Sequence, residues 1–158
     1  MSIKNYTSSV PVERTVARIE QALAAAGVSG TSKEYSEGKL VALTFSLTAP
    51  SGQVVQVRLP ASESNVYDDM LHECECARVR PMRAAAKMQL KQQAGRTAWK
   101  LMQDWVEVQL SLIKMHQADF EQVFMPYIWD GRRTFYMALK EQNFAPLRML
   151  DNGDRDSA

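Results

Sequence analysis

The sequence predicts an α+β fold of two layers, with an N-terminal helix and an antiparallel β-hairpin or small sheet packed on a bundle of C-terminal helices. Three observations predict it. Residues 12–26 carry apolar side chains at helical spacing. Residues 39–59 then switch to strict alternation around a Pro/Gly turn. After Pro60 the helical period returns and culminates in one long amphipathic segment, Arg96 to His116.

The first nine residues read as an extended arm. Pro11 stands where a first helical turn tolerates proline, and Val12, Val16, Ile19, Leu23 and Ala26 follow on one stripe. Gly27 is a natural stop. Glu13, Arg14, Arg18 and Glu20 form the charged back.

Val41, Leu43, Phe45 and Leu47 alternate with small polar residues, as do Val55, Val57 and Leu59. Ala49-Pro50-Ser51-Gly52 lies between, so the pair predicts a hairpin sheltered on one face. A lone hairpin is marginal in water, so helices must cover that face. Ser32 to Tyr35 is a candidate third strand.

Ser62 and Glu63 open a helix through about Cys76, and Pro81 ends that pattern. A further helical stretch covers Met82 to about Gln93, with Gly95 as the expected break before the central helix. That helix has a narrow polar stripe of Arg96, Lys100, Gln103, Glu107, Ser111 and Lys114. One apolar flank holds Ala98, Leu101, Met102, Trp105, Val108, Leu112 and Met115. The other holds Trp99, Val106, Leu110 and Ile113. A helix apolar over most of its girth must be wrapped by other elements, so it is read as the axis of the core. Phe120 to Trp129 is a dense apolar patch around Pro126, Asp130-Gly131 is a turn, and Thr134 to Gln142 a last short helix.

With 158 residues the chain is read as one α+β domain over 1–150 and a disordered tail from Asp151 to Ala158. A chain this size buries roughly 70% of its unfolded surface and needs no staple. The net charge of +1 gives no bulk preference for nucleic acid or membrane. The N-terminus lacks the apolar run of a signal peptide, and no apolar run approaches the ~20 residues that span a bilayer. Cys74 and Cys76, two apart, are poorly spaced for a disulfide. Residence in the cytoplasm with reduced thiols is the expectation.

Four candidate chemistries follow. His72, Cys74, Cys76 and His116 supply a zinc-like ligand set, but on a helix the middle residue of an i, i+2, i+4 triplet points away from the outer two, so no metal or other cofactor is assigned. Arg78, Arg80, Arg83, Lys87, Lys91, Arg96 and Lys100 form a basic run without an acidic residue between Glu75 and Asp104. Arg83, Lys87 and Lys91 share a helical face. Such a stripe suits a phosphate backbone, DNA or RNA, or an acidic protein surface, and also a plain solvated face balanced by acids elsewhere. No stacking aromatic is interleaved in it. The aromatic group Phe124, Tyr127, Trp129, Phe135 and Tyr136 divides into expected core, Phe124 and Phe135, and a surface set, Trp129 with Arg132 and Arg133, of the composition found at protein interfaces. Catalytic signals are weak: there is no Gly-rich phosphate loop, and neither histidine has a nucleophile near it in sequence, so the chain is read as non-enzymatic.

Several blocks carry a resemblance. Lys4-Asn5-Tyr6-Thr7, Val10 to Thr15, Ala98-Trp99-Lys100, Asp104 to Leu110 and Val123 to Ile128 resemble a group of small, uncharacterised phage and prophage proteins. The resemblance covers Lys4 to about Leu139 and departs over Ser62 to Gln93. It carries over no catalytic or binding residue. It implies a phage-encoded protein of the host cytoplasm that acts in infection. Small phage proteins without active sites act by binding host replication, transcription or defence machinery, such as restriction or CRISPR complexes. The expectation is therefore a protein that binds a host or phage macromolecular complex, with a nucleic-acid-binding accessory factor as the alternative. A dimer is allowed.

Overall fold

A computed structural model of the chain describes residues 3–49, 51–77 and 81–147. The tail from Asp151 to Ala158, and Arg78 and Arg80 of the basic run, lie outside the described residues. The fold is α+β. Helix α1 (Val12–Ala25) leads into strands β1 (Thr31–Ser36), β2 (Lys39–Thr48) and β3 (Val54–Pro60). Helices α2 (Glu63–Cys76), α3 (Ala84–Lys114) and α4 (Phe120–Phe124) follow. A 3-10 turn (Met125–Tyr127), strand β4 (Ile128–Trp129) and helix α5 (Phe135–Glu141) complete the chain. The sheet is antiparallel, in the order β1-β2-β3-β4.

The hairpin forms at the expected place. Leu43 pairs with Leu59, Phe45 with Val57 and Leu47 with Val55. The turn closes with the Ala49 amide donating to the Gln53 carbonyl at 2.8 Å, and Gly52 takes a positive φ that few other residues tolerate. The candidate third strand is β1. All of its side chains are exposed, and a bulge falls between Glu34 and Tyr35. Strand β4, two residues long, has no alternation for a sequence reading to find. Pairing with Gln56 and Val57 holds it on the sheet.

The core lies between the sheet and the helices. Val16, Ile19 and Leu23 of α1 meet Leu43, Phe45, Val57 and Leu59 of the sheet, Trp99 and Val106 of α3, and Phe124 of α4. Phe45 and Trp105 approach Phe124 edge-on, with ring centroids at 5.3 and 5.7 Å. Such edge-to-face contacts add about 1 kcal/mol each beyond the buried area.

Four expectations are corrected. Gly95 does not break the helix: α3 is continuous from Ala84 to Lys114. A Cβ there would lie 3.1 Å from Oε2 of Glu63, so the glycine is where α2 starts close against α3. The two apolar flanks of α3 are not equivalent. The flank of Trp99, Val106, Leu110 and Ile113 faces the core, whereas Val108 and Met115 are exposed and Gln103 of the polar stripe is buried. Gln103 remains satisfied there, accepting from Lys100 and donating to Glu107. Phe135, expected in the core, is exposed, because α5 rests on the 3-10 turn and not on the sheet. The arm is not extended but turned, with Asn5 at positive φ and the Ser8 amide donating to the Asn5 carbonyl at 2.9 Å.

The turn gives the arm its grip. Asp104 on α3 accepts from Asn5 Nδ2 at 3.0 Å and pairs with Lys4 at 2.8 Å and Lys100 at 3.1 Å. Gln93 Nε2 donates to the carbonyls of Tyr6 and Ser8, Arg96 Nε to that of Ser8, and Thr97 Oγ1 to that of Asn5. The blocks Lys4 to Thr7, Ala98 to Lys100 and Asp104 to Leu110 thus meet in one clamp between arm and central helix.

Candidate interaction surface

The basic run is placed by the α2–α3 hairpin. Helix α2 carries Glu63, Asp68, Asp69, Glu73 and Glu75, and no lysine or arginine. It starts beside Gly95 and ends where Glu75 pairs with Lys87 at 3.2 Å, so it lies antiparallel along the first half of α3. An acid-only helix therefore packs against a base-only helix half. Lys100 pairs with Asp104, and Arg96 is half-buried among Gln93 and the Ser8 carbonyl. Arg83 precedes the first residue of α3 and is exposed, as is Lys91. Lys87, Arg96 and Lys100 thus have structural partners within the chain. Arg83 and Lys91 remain turned to solvent.

The histidines and cysteines do not gather. His72 and Cys76 share a face of α2, with Sγ 3.7 Å from Nε2, while Cys74 is half-buried and His116 lies just beyond the far end of α3. No group of three or more His, Cys, Asp or Glu among the described residues could hold a metal ion.

Trp129, Arg132 and Arg133 separate as well. Register puts Trp129 opposite Gln56, on the sheet face away from the helices. There the Arg58 guanidinium lies 4.9 Å from the Trp129 ring and also binds Glu34 through two hydrogen bonds, 2.8 and 3.0 Å. This holds the Glu34 carboxyl below its ordinary pKa. A Trp–Arg–Glu ladder thus crosses the outer face of the sheet. Arg132 and Arg133 belong to the next turn. Asp130 Oδ1 accepts from both of their amides at 2.8 Å, which lowers the Asp130 pKa, and Gly131 takes a positive φ. Arg133 reaches on to Glu141 in α5, and Arg132 is exposed.

Beyond that turn the chain does something the sequence reading missed. Thr134 caps α5, its hydroxyl accepting from the Met137 amide at 3.3 Å. No residue of α5 is buried. Phe135, Tyr136 and Met137 are 43%, 48% and 46% exposed, and Met125, Phe144 and Leu147 of the adjoining turns are exposed too. The Tyr136 and Phe144 rings lie 6.2 Å apart, so the aromatics cluster with one another. A helix period over Thr134 to Gln142 was legible. Its lack of a sheet to pack on was not.

A cleft of about 370 Å³ opens between the arm, α1, the β1–β2 turn and the α2–α3 junction, with Trp99 and Val16 inside and Lys33, Lys39, Glu63 and Arg96 at its sides. Those charges are engaged. Lys39 pairs with Glu63, and Lys33 with Glu20, which raises the Lys33 pKa.

No protein family, curated protein or solved structure matches the chain. No helix among the described residues is long and apolar enough to cross a membrane.

Proposed function

We propose that the chain is a non-enzymatic, phage- or prophage-encoded protein that binds a protein component of a host or phage complex through the α5 corner. One observation carries the reading: α5 buries none of its residues and turns Phe135, Tyr136 and Met137 to solvent beside Met125 and Phe144. Clustered exposed apolar side chains on a soluble domain mark interaction sites. Aromatics, methionine and arginine are the residues that interface cores favour, and Arg132 stands beside them. A Thr134 cap and the Arg133–Glu141 pair tie α5 to the turn before it.

A binding role also fits the titratable groups. Among the described residues, each group with a resolved pKa shift is explained by an ion pair or turn that supports the fold: Lys33 by Glu20, Glu34 by Arg58, Asp104 by Lys4, and Asp130 by backbone amides. The resemblance to phage proteins directs the search for the partner to infected cells and to host defence, replication and transcription complexes.

The test compares tagged parent protein with a Tyr136→Glu/Met137→Glu variant in infected cells. Both side chains are exposed, so the variant keeps the parent's melting temperature. The parent recovers a stoichiometric protein partner and the variant loses it. Equal recovery by the two, or recovery of nucleic acid alone in a salt-sensitive manner, overturns the reading.

A further inference from the structure

The cleft between the arm, α1 and the β1–β2 turn is lined by the cations Lys33, Lys39 and Arg96. Lys33 is paired with Glu20 and Lys39 with Glu63. Arg96 is bonded but not neutralised, because its partners among the described residues are neutral. Nε donates to the Ser8 carbonyl at 3.2 Å and to Gln93 Oε1 at 3.1 Å, and Nη2 donates to that same Oε1. These bonds occupy the Nε–Nη2 edge of the guanidinium. The Nη1–Nη2 end of the fork, which matches the two oxygens of a carboxylate, bonds to nothing among the described residues. Ser8 and Gln93 hold the group in place, so little freedom is lost when an anion meets it.

The rest of the cleft favours an apolar body. Val12, Val16 and Leu40 line it, with buried Trp99 deep inside and Tyr35, 60% exposed, further out. The Trp99 indole N–H is already given to the Leu40 carbonyl, so the indole offers only carbon to a ligand. Glu63 is matched by Lys39, and Glu13 lies in the first turn of α1, where the helix N-terminus offsets its charge. The volume of about 370 Å³ is at the small end of small-molecule sites, roughly 300–1,000 Å³. A neutral apolar ligand would leave the fork of Arg96 unused. A bare inorganic anion would leave the apolar wall unused, and a polymer backbone would not fit the volume.

We propose that this cleft binds a small organic carboxylate with a single-ring apolar body. The ring lies against Val12, Leu40 and the edge of Trp99, and the carboxylate accepts from Nη1 and Nη2 of Arg96. The site is separate from α5, and the inference is independent of the reading given to that corner.

Titration of the isotope-labelled full chain with benzoate, followed by magnetic resonance, tests it. Benzoate binds saturably with a dissociation constant below about 1 mM and moves the Trp99 indole N–H signal, while those of Trp105 and Trp129 stay in place. Benzamide, the same ring without the charge, binds about tenfold more weakly or worse. Arg96→Lys keeps the charge but loses the fork, and weakens benzoate binding about tenfold. Because Arg96 also grips the arm, Ser9→Trp serves as a second variant. Ser9 is exposed on the wall of the cleft, so the larger side chain blocks entry and leaves the melting temperature unchanged. No saturable binding of benzoate, equal affinity for benzamide, benzoate binding that survives either variant, or binding that leaves the Trp99 signal unmoved overturns the proposal.

Discussion

The two tryptophans of the central helix have the same side chain and lie six residues apart, yet they hold different positions. Trp99 is fully enclosed by α1 and the sheet, and its indole N–H donates to the Leu40 carbonyl at 3.2 Å. Trp105, six positions on, lies at the margin of the core against Phe124 and Tyr127 and is half-buried. Truncation of a buried aromatic costs about 3–5 kcal/mol. Trp99→Ala is therefore expected to lose about that much in urea unfolding, and Trp105→Ala about half as much. An equal loss at the two positions would mean that the helix is rotated relative to the arrangement described. The residue types marked both tryptophans for packing. Which of the two lies inside depends on the flank of α3 that α1 and the sheet select.

At the scale of elements, the α2–α3 hairpin changes the meaning of the basic run. Seven cations without an acid, read along the chain, suit a phosphate backbone, an acidic protein surface or a solvated face balanced by acids elsewhere. Folded, the described part of the run lies beside a helix with five acids and no base. Each surface pair in such an arrangement contributes less than about 1 kcal/mol, and the Lys87–Glu75 pair, nearly half exposed, is of this kind. Reversal of the whole stripe is a larger perturbation, because it sets like charges together. Arg83→Glu/Lys87→Glu/Lys91→Glu is expected to destabilise the protein by about 1–2 kcal/mol in low salt, and most of that loss should disappear near 1 M salt, where the screening length falls to about 3 Å. Salt-independent destabilisation, or none, would show that α2 does not hold the stripe. The helical periods of α2 and α3 were legible from the sequence. Their alignment was not, since opposite charges attract at many registers and the contacts that fix this one, at Gly95 and between Lys87 and Glu75, exist only in the folded pair.

At the scale of the molecule, the N-terminal arm ties the start of the chain to its central helix through Asp104. Lys4, with Asn5 and Lys100, holds that carboxyl at a pKa of about 2, against the opposing effect of partial burial. A carboxyl whose folded pKa is depressed stabilises the fold above its unfolded value, near 4, and loses that contribution as pH falls toward 2. Because Lys4 is largely in water, the contribution is about 1–2 kcal/mol and not more. Asp104→Asn should lower stability by that amount at pH 7 and flatten the acid limb of the stability profile between about pH 4 and 2. An unchanged acid limb would detach the arm from α3.

The sequence by itself determined the α+β class, the hairpin and its turn, the span of α1 and α5, and the existence of one dominant helix. These follow from local periodicity, since side-chain direction repeats every two residues in a strand and every 3.6 in a helix. Only the tertiary structure decided which flank of α3 meets the core, why Gly95 lies within a helix, where the arm turns and grips, and that α5 keeps its apolar side chains in solvent. Each of those depends on contacts between segments distant in sequence, and a pattern of apolar residues says that a surface is to be covered without saying by what. The candidate surface was half legible for that reason. Trp129, Arg132 and Arg133 were legible as a surface set, whereas the exposure of the helix beyond them was not, because α5 rests on the 3-10 turn and not on the sheet.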